Sequence, residues 1–203
     1  LANFTNEGGY RYRYRYLKNI MGLWMIQSIR RELNGVSYVE DSKKTAAAQR
    51  QWSYAELEAE ARGCADFTSR VDVNDSSFLA PKSMTDAVRY YCERTGQKIP
   101  QSMGEVMVVI YNSLAQSYKD TVAELEEMSG RKFSRIHVVG GGCQDMFLNQ
   151  KIKTFTGKEV YAGPVEGTAL GNLMVQMLKD GSFKTLEEAR ECVASSFDVK
   201  KVD

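Results

Sequence analysis

Hydrophobic and polar positions change their period several times along the chain, and each change predicts an element. Between Leu17 and Leu33 the apolar residues recur at three- and four-residue spacing, which predicts an amphipathic helix that Asn34-Gly35 closes. The longest such pattern begins with the capping-box residues Ser102 and Glu105 and predicts a helix to about residue 129. Shorter helices are predicted at 53–64, 83–96, 145–155, 167–179 and 185–195, and loops at 36–51 and 66–81.

Four segments have the pattern of strands. Ile136–Val139 is short and apolar, which predicts a strand buried on both faces of a parallel sheet, and Glu159–Ala162 predicts a second strand. Ala2–Thr5 reads as a strand ahead of a Gly8-Gly9 turn. Tyr10–Tyr16 alternates tyrosine and arginine strictly, which predicts a half-buried strand with the two residue types on opposite faces. Strands interspersed with helices predict an α/β fold.

The amino-acid composition excludes several classes of function. The net charge is +1, so no large field directs the chain to nucleic acid or to an anionic membrane. His137 is the only histidine, so a Ser-His-Asp triad could use no other and a multi-histidine zinc site is impossible. The four cysteines form no C-x-x-C pair, and no apolar run approaches the ~18 residues of a membrane span. We therefore expect a soluble, cytoplasmic chain.

A run of three glycines, Gly140–Gly142, follows the strand predicted at Ile136–Val139 and precedes a predicted helix. Glycines let a ligand approach the backbone closely, and a helix start favours anions, although the same pattern fits an ordinary tight turn. It is not a Rossmann fingerprint, because the third glycine would fall at Asp145. Nor is it a P-loop, because no Gly-Lys-Ser/Thr follows. A nucleotide site here would be of another type.

Two long blocks carry a family resemblance. Val138–Asn172, with its pieces GGGCQ, LNQ, AGPVE and LGN, resembles the C-terminal domain of FGGY carbohydrate kinases. Asn3–Trp24, which reads NFTNEGGYRYRYRYLKNIMGLW, resembles an earlier segment of the same family. The intervening Val71–Phe78 also resembles a family loop. The blocks keep the family's order, and the resemblance covers nearly the whole chain.

The resemblance implies an actin-like, RNase H-like ATPase lobe, with a mixed sheet flanked by helices and lacking its first strands. Residues 1–203 would be the C-terminal nucleotide-binding domain of a two-lobed kinase whose sugar-binding lobe is absent. The partners implied are ATP and a sugar, with Mg²⁺ as the metal. The family's catalytic aspartate would precede Leu1, and the chain begins within patterned sequence, which predicts a fragment. No catalytic residue and no metal ligand is therefore assigned.

The resemblance also implies where ATP binds. It places contacts on Asn19, Gln27 and Gly141, with Gly140 and Gly142 lining the site. Asn19 and Gln27 are eight residues apart, about two turns, so they would share one face of the predicted first helix. An amide side chain there could bond the nucleotide through both its donor and its acceptor.

Other interpretations remain open. The chain could come from an FGGY kinase that acts on xylulose, fuculose or a related sugar. It could also be a non-catalytic actin-like module that binds nucleotide or a partner protein. A Rossmann-like domain for a dinucleotide or S-adenosylmethionine is a third option, which the missing third glycine disfavours. The tyrosine–arginine run could stack nucleic-acid bases, but the balanced charge elsewhere favours a half-buried strand.

Overall fold

The computed structural model of the chain describes residues 4–35 and 51–203. Most of the loop predicted at 36–51, and the start of the strand predicted at Ala2, lie outside these residues. The described residues group into two compact units. One, the helical unit, runs from Ile20 to Tyr118; the other, the sheet unit, comprises the chain up to Asn19 and from Lys119 onward. No helix in the described ranges is long and apolar enough to cross a membrane.

The helical unit is built from helices, and capping residues in the sequence predict where two of them begin. The Ser53 hydroxyl accepts a hydrogen bond from the Glu56 N–H while the Glu56 carboxylate accepts one from the Ser53 N–H, so the predicted capping box is confirmed. The Ser83 hydroxyl caps a later helix by accepting a hydrogen bond from the Asp86 N–H. The helices of this unit are α1 (Trp24–Leu33), α2 (Tyr54–Gly63), α3 (Met84–Arg94) and the first part of α4 (Met103–Ser129).

The core of the helical unit centres on α4. Every residue from Val106 to Tyr111 is buried, so this helix is enclosed on all sides rather than along one stripe. Its start lies unusually close to α2, because a Cβ on Gly104 would stand 2.4 Å from the Glu60 carbonyl oxygen. Only a glycine permits this approach. The predicted longest helix is confirmed, and its burial is more complete than a single stripe implies.

The sheet unit contains two separate sheets. The strands β1 (Thr5–Gly8) and β2 (Tyr14–Leu17) form an antiparallel hairpin. A second sheet has the order β3-β4-β5, with β3 parallel to β4 and β5 antiparallel to it. The α/β class with a small mixed sheet is therefore confirmed. The remaining elements are β3 (Arg135–Val138), α5 (Met146–Thr156), β4 (Glu159–Ala162), α6 (Gly167–Asp180), α7 (Leu186–Ser196) and β5 (Lys200–Lys201).

The tyrosine–arginine run differs from its prediction. Residues Tyr10–Tyr12 form a 3₁₀ turn rather than a strand, and only Tyr14–Leu17 pairs with β1. Tyr14 and Tyr16 are 78% and 51% exposed, so the predicted half-buried strand is wrong. Alternation specifies two faces of a strand, but whether either face is covered depends on what packs there.

The strand β3 also differs from its prediction. Its residues alternate, with Arg135 and His137 exposed and Ile136 and Val138 half-buried, so burial on both faces is wrong. His137 stacks on Tyr161 of β4, with ring centroids 5.2 Å apart and ring planes 16° apart. The sheet therefore has one polar, aromatic face and one apolar face. A run of four residues was too short to separate these arrangements by pattern.

Candidate functional site

The predicted glycine site forms a tight turn at the end of β3. Gly140–Gln144 is a 3₁₀ helix, and α5 begins only after it, with the Asp145 carboxylate accepting a hydrogen bond from the Leu148 N–H. Gly140 has φ +75°, a left-handed conformation in which a side chain would be strained. The segment Gly140–Gln144 is called the glycine turn below. The left-handed backbone at position 140 therefore explains why the turn begins with a glycine.

The chain after β4 holds the glycine turn from one side. The Gly140 N–H donates to the Pro164 carbonyl at 3.1 Å, and the Gly163 N–H donates to the Val138 carbonyl at 2.8 Å. Gly163 is itself confined, because a Cβ there would stand 2.5 Å from the Asp198 carbonyl oxygen. The parallel pairing of β3 with β4 brings these two loops together at the same edge of the sheet.

Asn149 of α5 holds the glycine turn from beneath. Its side chain is fully buried, and its Nδ2 donates to the carbonyl oxygens of Cys143, at 3.1 Å, and Gly142, at 3.4 Å. Sequence reasoning used this residue only as part of the LNQ match and gave it no role. A signal was present, because an asparagine between Leu148 and Ile152 lies on the apolar side of the predicted helix.

The outer surface of the glycine turn is open. Gly141 is exposed, and apart from its chain neighbours no heavy atom lies within 4 Å of the position a Cβ would take. A planar ligand can therefore approach this backbone without displacing a side chain. Cys143 is buried, and burial raises the pKa of its thiol, which favours the protonated thiol over the reactive thiolate. The turn thus presents open backbone, and its cysteine is a protonated thiol.

Asn19 does not lie where the helical pattern places it. The predicted helix from Leu17 begins only at Trp24, because Gly22 adopts a left-handed φ of +57° and interrupts the helical path. Asn19 is an exposed residue between β2 and α1. The prediction that Asn19 and Gln27 share one helix face is therefore wrong.

Gln27 lies on the exposed side of α1. The opposite side of that helix is buried through Met25, Ile26 and Ile29. The end of the helix is fastened by Asn34, whose Oδ1 accepts a hydrogen bond from the Trp52 N–H at 2.6 Å. Gln27 belongs to the helical unit, whereas Asn19 and the glycine turn belong to the sheet unit. Their convergence on one ligand stays a prediction.

The two implied cofactors fit this chain differently. The open backbone of the glycine turn fits the close approach of a nucleotide. By contrast, residues 4–35 and 51–203 contain no group of three or more His, Cys, Asp or Glu side chains that could hold a metal ion. We therefore assign no Mg²⁺ ligand to the described residues.

Comparison with known proteins gives a consistent result. Residues 1–179 match the FGGY family of carbohydrate kinases, C-terminal domain. A protein named Rhamnulokinase from Halalkalibacterium halodurans is 44% identical over 199 residues, covering 98% of this chain and 39% of the relative. Proteins of the same name from Bacillus subtilis and Enterococcus faecalis are 38% and 40% identical, and the matches cover 38% and 37% of their lengths. The chain thus spans about two fifths of these curated relatives.

Proposed function

The chain belongs to the FGGY family of carbohydrate kinases, and from that premise we propose that it is the nucleotide-binding part of an ATP-dependent sugar kinase. Residues 1–203 would form the C-terminal domain, and a second lobe would bind the sugar. The relatives' name supports L-rhamnulose as the sugar, phosphorylated on its 1-hydroxyl in rhamnose catabolism. The proposed activity is one of a longer polypeptide, because the chain matches about two fifths of its relatives. We place the enzyme in the cytoplasm, where its co-substrate ATP is found.

We propose an actin-like, RNase H-like fold for this domain. The mixed order of β3, β4 and β5 and the glycine turn directly after β3 support it. In this fold the ATP contacts would be Asn19, Gln27 and the glycine-turn residues Gly140, Gly141 and Gly142. Both amide side chains are exposed and carry a donor and an acceptor for the nucleotide.

One observation carries the proposal: the glycine turn is fixed on two sides and open on the third. Pro164 and Asn149 hold its backbone, while Gly141 leaves its outer surface free. A preorganised backbone loses little freedom when a ligand binds, so binding energy is not consumed in ordering the loop. The turn is therefore suited to hold adenosine in one orientation.

The described residues bind and orient the nucleotide; they do not perform the chemistry. Phosphoryl transfer needs a base for the sugar hydroxyl and charge stabilisation on the transferred group, and Mg²⁺ bound to the ATP phosphates supplies part of the latter. We expect the base in the sugar-binding lobe. The isolated 203-residue chain should accordingly bind ATP weakly and turn over no sugar.

The test is an assay of sugar-dependent ADP formation in the longest polypeptide that contains this chain, with L-rhamnulose, xylulose and fuculose compared. L-rhamnulose should give the highest kcat/KM. Gly141→Leu should raise the KM for ATP by about tenfold or more with little change in the KM for sugar. Gly63→Leu is the matched control, because Gly63 is also exposed with open space around it, and it should change neither constant more than about twofold.

Two results would contradict the proposal. ATP binding without phosphorylation of any sugar would instead support a non-catalytic nucleotide-binding module. An unchanged KM for ATP in Gly141→Leu would remove the glycine turn from the nucleotide site.

A further inference from the structure

A cavity of about 310 Å³ lies in the sheet unit between the tip of the β1–β2 hairpin and the start of α7. Its walls are hairpin residues between Gly9 and Arg15 and residues between Lys184 and Arg190. It is called the hairpin pocket below. Its volume falls at the lower end of the range for small-molecule sites. None of the proposed ATP contacts lines it, so it is independent of the proposed kinase function.

The hairpin pocket is strongly basic, although the chain as a whole is nearly neutral. Among the described residues, Glu187 is the one acidic residue in its lining, and Arg15 is already paired with Glu7 at 2.8 Å. Within residues 4–35 and 51–203, the side chains of Arg13 and Arg190 take part in no ion pair. The basic lining side chains are Arg11, Arg13, Arg15, Lys184 and Arg190.

Like charges converge here from two elements far apart in sequence. Such charges repel one another within the Debye length of about 8–10 Å, and an anion held between them would offset that repulsion by its attraction to each. The backbone N–H groups at the start of α7 are not what would attract an anion to the pocket. The Glu188 N–H is bonded to the Thr185 hydroxyl at 3.1 Å, and the Glu188 carboxylate accepts from the Lys184 N–H at 2.8 Å. The positive charge therefore comes from side chains.

The backbone of the hairpin tip is held in an uncommon conformation. Arg11 and Tyr12 have φ values of 56° and 57°, in the left-handed region that non-glycine residues seldom adopt. A hydrogen bond of 2.7 Å from the Gly9 N–H to the Arg13 carbonyl closes the turn. This closure keeps the arginines on either side of Tyr12 in the lining of the pocket. Strained backbone of this kind is concentrated at ligand-binding sites.

We propose that the hairpin pocket binds a small ligand that carries two or more phosphoryl groups. A guanidinium group offers a planar fork of donors that matches phosphate oxygens, and each further phosphoryl group adds oxygens and negative charge for further arginines. Four basic residues line the pocket besides the paired Arg15, whereas one phosphoryl group carries a charge of only about −1.5 to −2 at pH 7. Tyr10 and Tyr14 line the same pocket and offer ring surface to an organic part of the ligand.

The test is calorimetric titration of the 203-residue chain with inorganic pyrophosphate and tripolyphosphate, with amide chemical shifts followed in parallel. Both anions should bind saturably, one per chain, and more tightly than orthophosphate, with shifts at Gly9–Arg15 and Lys184–Arg190. Arg13→Ala/Arg190→Ala should weaken binding by about tenfold or more. Lys119→Ala/Arg131→Ala removes two exposed charges from the same unit outside the pocket and should change affinity less than about twofold. Thermal melts show whether each variant is folded.

Three outcomes would overturn the proposal. Equal weakening in both double variants would mean that general charge, and not the pocket, attracts the anions. Orthophosphate binding as tightly as pyrophosphate would remove the need for several phosphoryl groups. Displacement of pyrophosphate by oligothymidylate, with affinity that rises with its length, would replace the small ligand with single-stranded nucleic acid.

Discussion

The helical unit and the sheet unit bury their apolar residues very differently. In the helical unit, α4 contains an unbroken run of buried residues from Val106 to Tyr111. In the sheet unit, α6 is also rich in apolar residues but contains no buried one, and Leu173 is 51% exposed. Neither the glycine turn nor the hairpin pocket lies in the helical unit, which has the tighter core. Both proposed binding features therefore lie in the unit with the sparser packing, as is common for binding sites.

Polar contacts also hold part of the sheet unit together. The Glu126 carboxylate, near the end of α4, accepts hydrogen bonds from Lys158 at 2.6 Å, from the Phe133 N–H at 2.9 Å and from Lys132 at 2.9 Å. These bonds connect α4 to the segments before β3 and β4. They also lower the pKa of Glu126 from its ordinary 4.5 to about 2, with the Lys158 bond as the largest cause.

The largest difference between the units should appear when one apolar side chain is truncated in each. Ile110→Ala should lower the free energy of unfolding by about 2–5 kcal/mol, because it leaves a cavity in a closed core. Leu173→Ala should change it by no more than about 0.5 kcal/mol, because that side chain is half exposed. Urea unfolding of both variants measures the two changes in the free energy of unfolding. A comparable loss in Leu173→Ala would show that α6 is buried in solution.

A second comparison uses one glycine from each unit. Gly104→Ala should destabilise the chain by about 1–3 kcal/mol, because the added methyl group would meet the Glu60 carbonyl and α2 must move. Gly141→Ala should cost less than about 0.5 kcal/mol, since open space surrounds that position. Thermal unfolding compares the stabilities of the two variants. If Gly104→Ala leaves stability unchanged, the close approach of α2 and α4 is wrong.

A third change tests the support of the glycine turn. Asn149→Ala removes the donor to the Cys143 carbonyl and should cost about 1–3 kcal/mol, while the amide resonances of Gly141 and Gly142 should shift. Gln176→Ala, at an exposed position of α6, is the control and should change neither the stability nor the glycine resonances. Lost stability with unshifted glycine resonances would mean that Asn149 contributes packing alone.

The smallest effect should be a dependence of stability on pH, with one carboxylate to examine in each unit. The pKa of Glu126 and that of Asp75, which is hydrogen-bonded to Ser77 and Arg94, are both lowered to about 2. A lowered pKa stabilises the fold above the ordinary carboxyl pKa, and this contribution is lost as pH falls through the folded-state value. Melting temperatures should therefore fall between about pH 4.5 and 2.

Glu126→Gln and Asp75→Asn separate the contributions of the two units. Each variant should melt at a lower temperature than the parent at pH 7 and show a shallower decline on acidification. Amide resonances next to each carboxylate report its titration directly. A parent-like decline in Glu126→Gln would mean that the contacts to Lys158 and Lys132 do not persist in solution.

Helix starts were predictable because a capping residue and the N–H it satisfies are three residues apart. Ser53, Ser83 and Thr185 begin their helices as their sequence patterns indicate. The beginning of α1 was not predictable in this way, because the apolar spacing continues back through Gly22 and only the backbone conformation shows the break. The glycine turn was predicted as a feature, but its 3₁₀ geometry and its supports were not.

By itself, the sequence of this protein determined its family, the capped helix starts and the glycine run after β3, because these are read from residues close together in the chain. Tertiary structure alone decided which strand faces are covered, as the exposed Tyr14 shows. It also brought the Asn149 amide under the glycine turn and Arg13 into one pocket with Arg190. Burial and charge clustering arise from contacts between distant segments, and no local pattern of residues encodes such contacts.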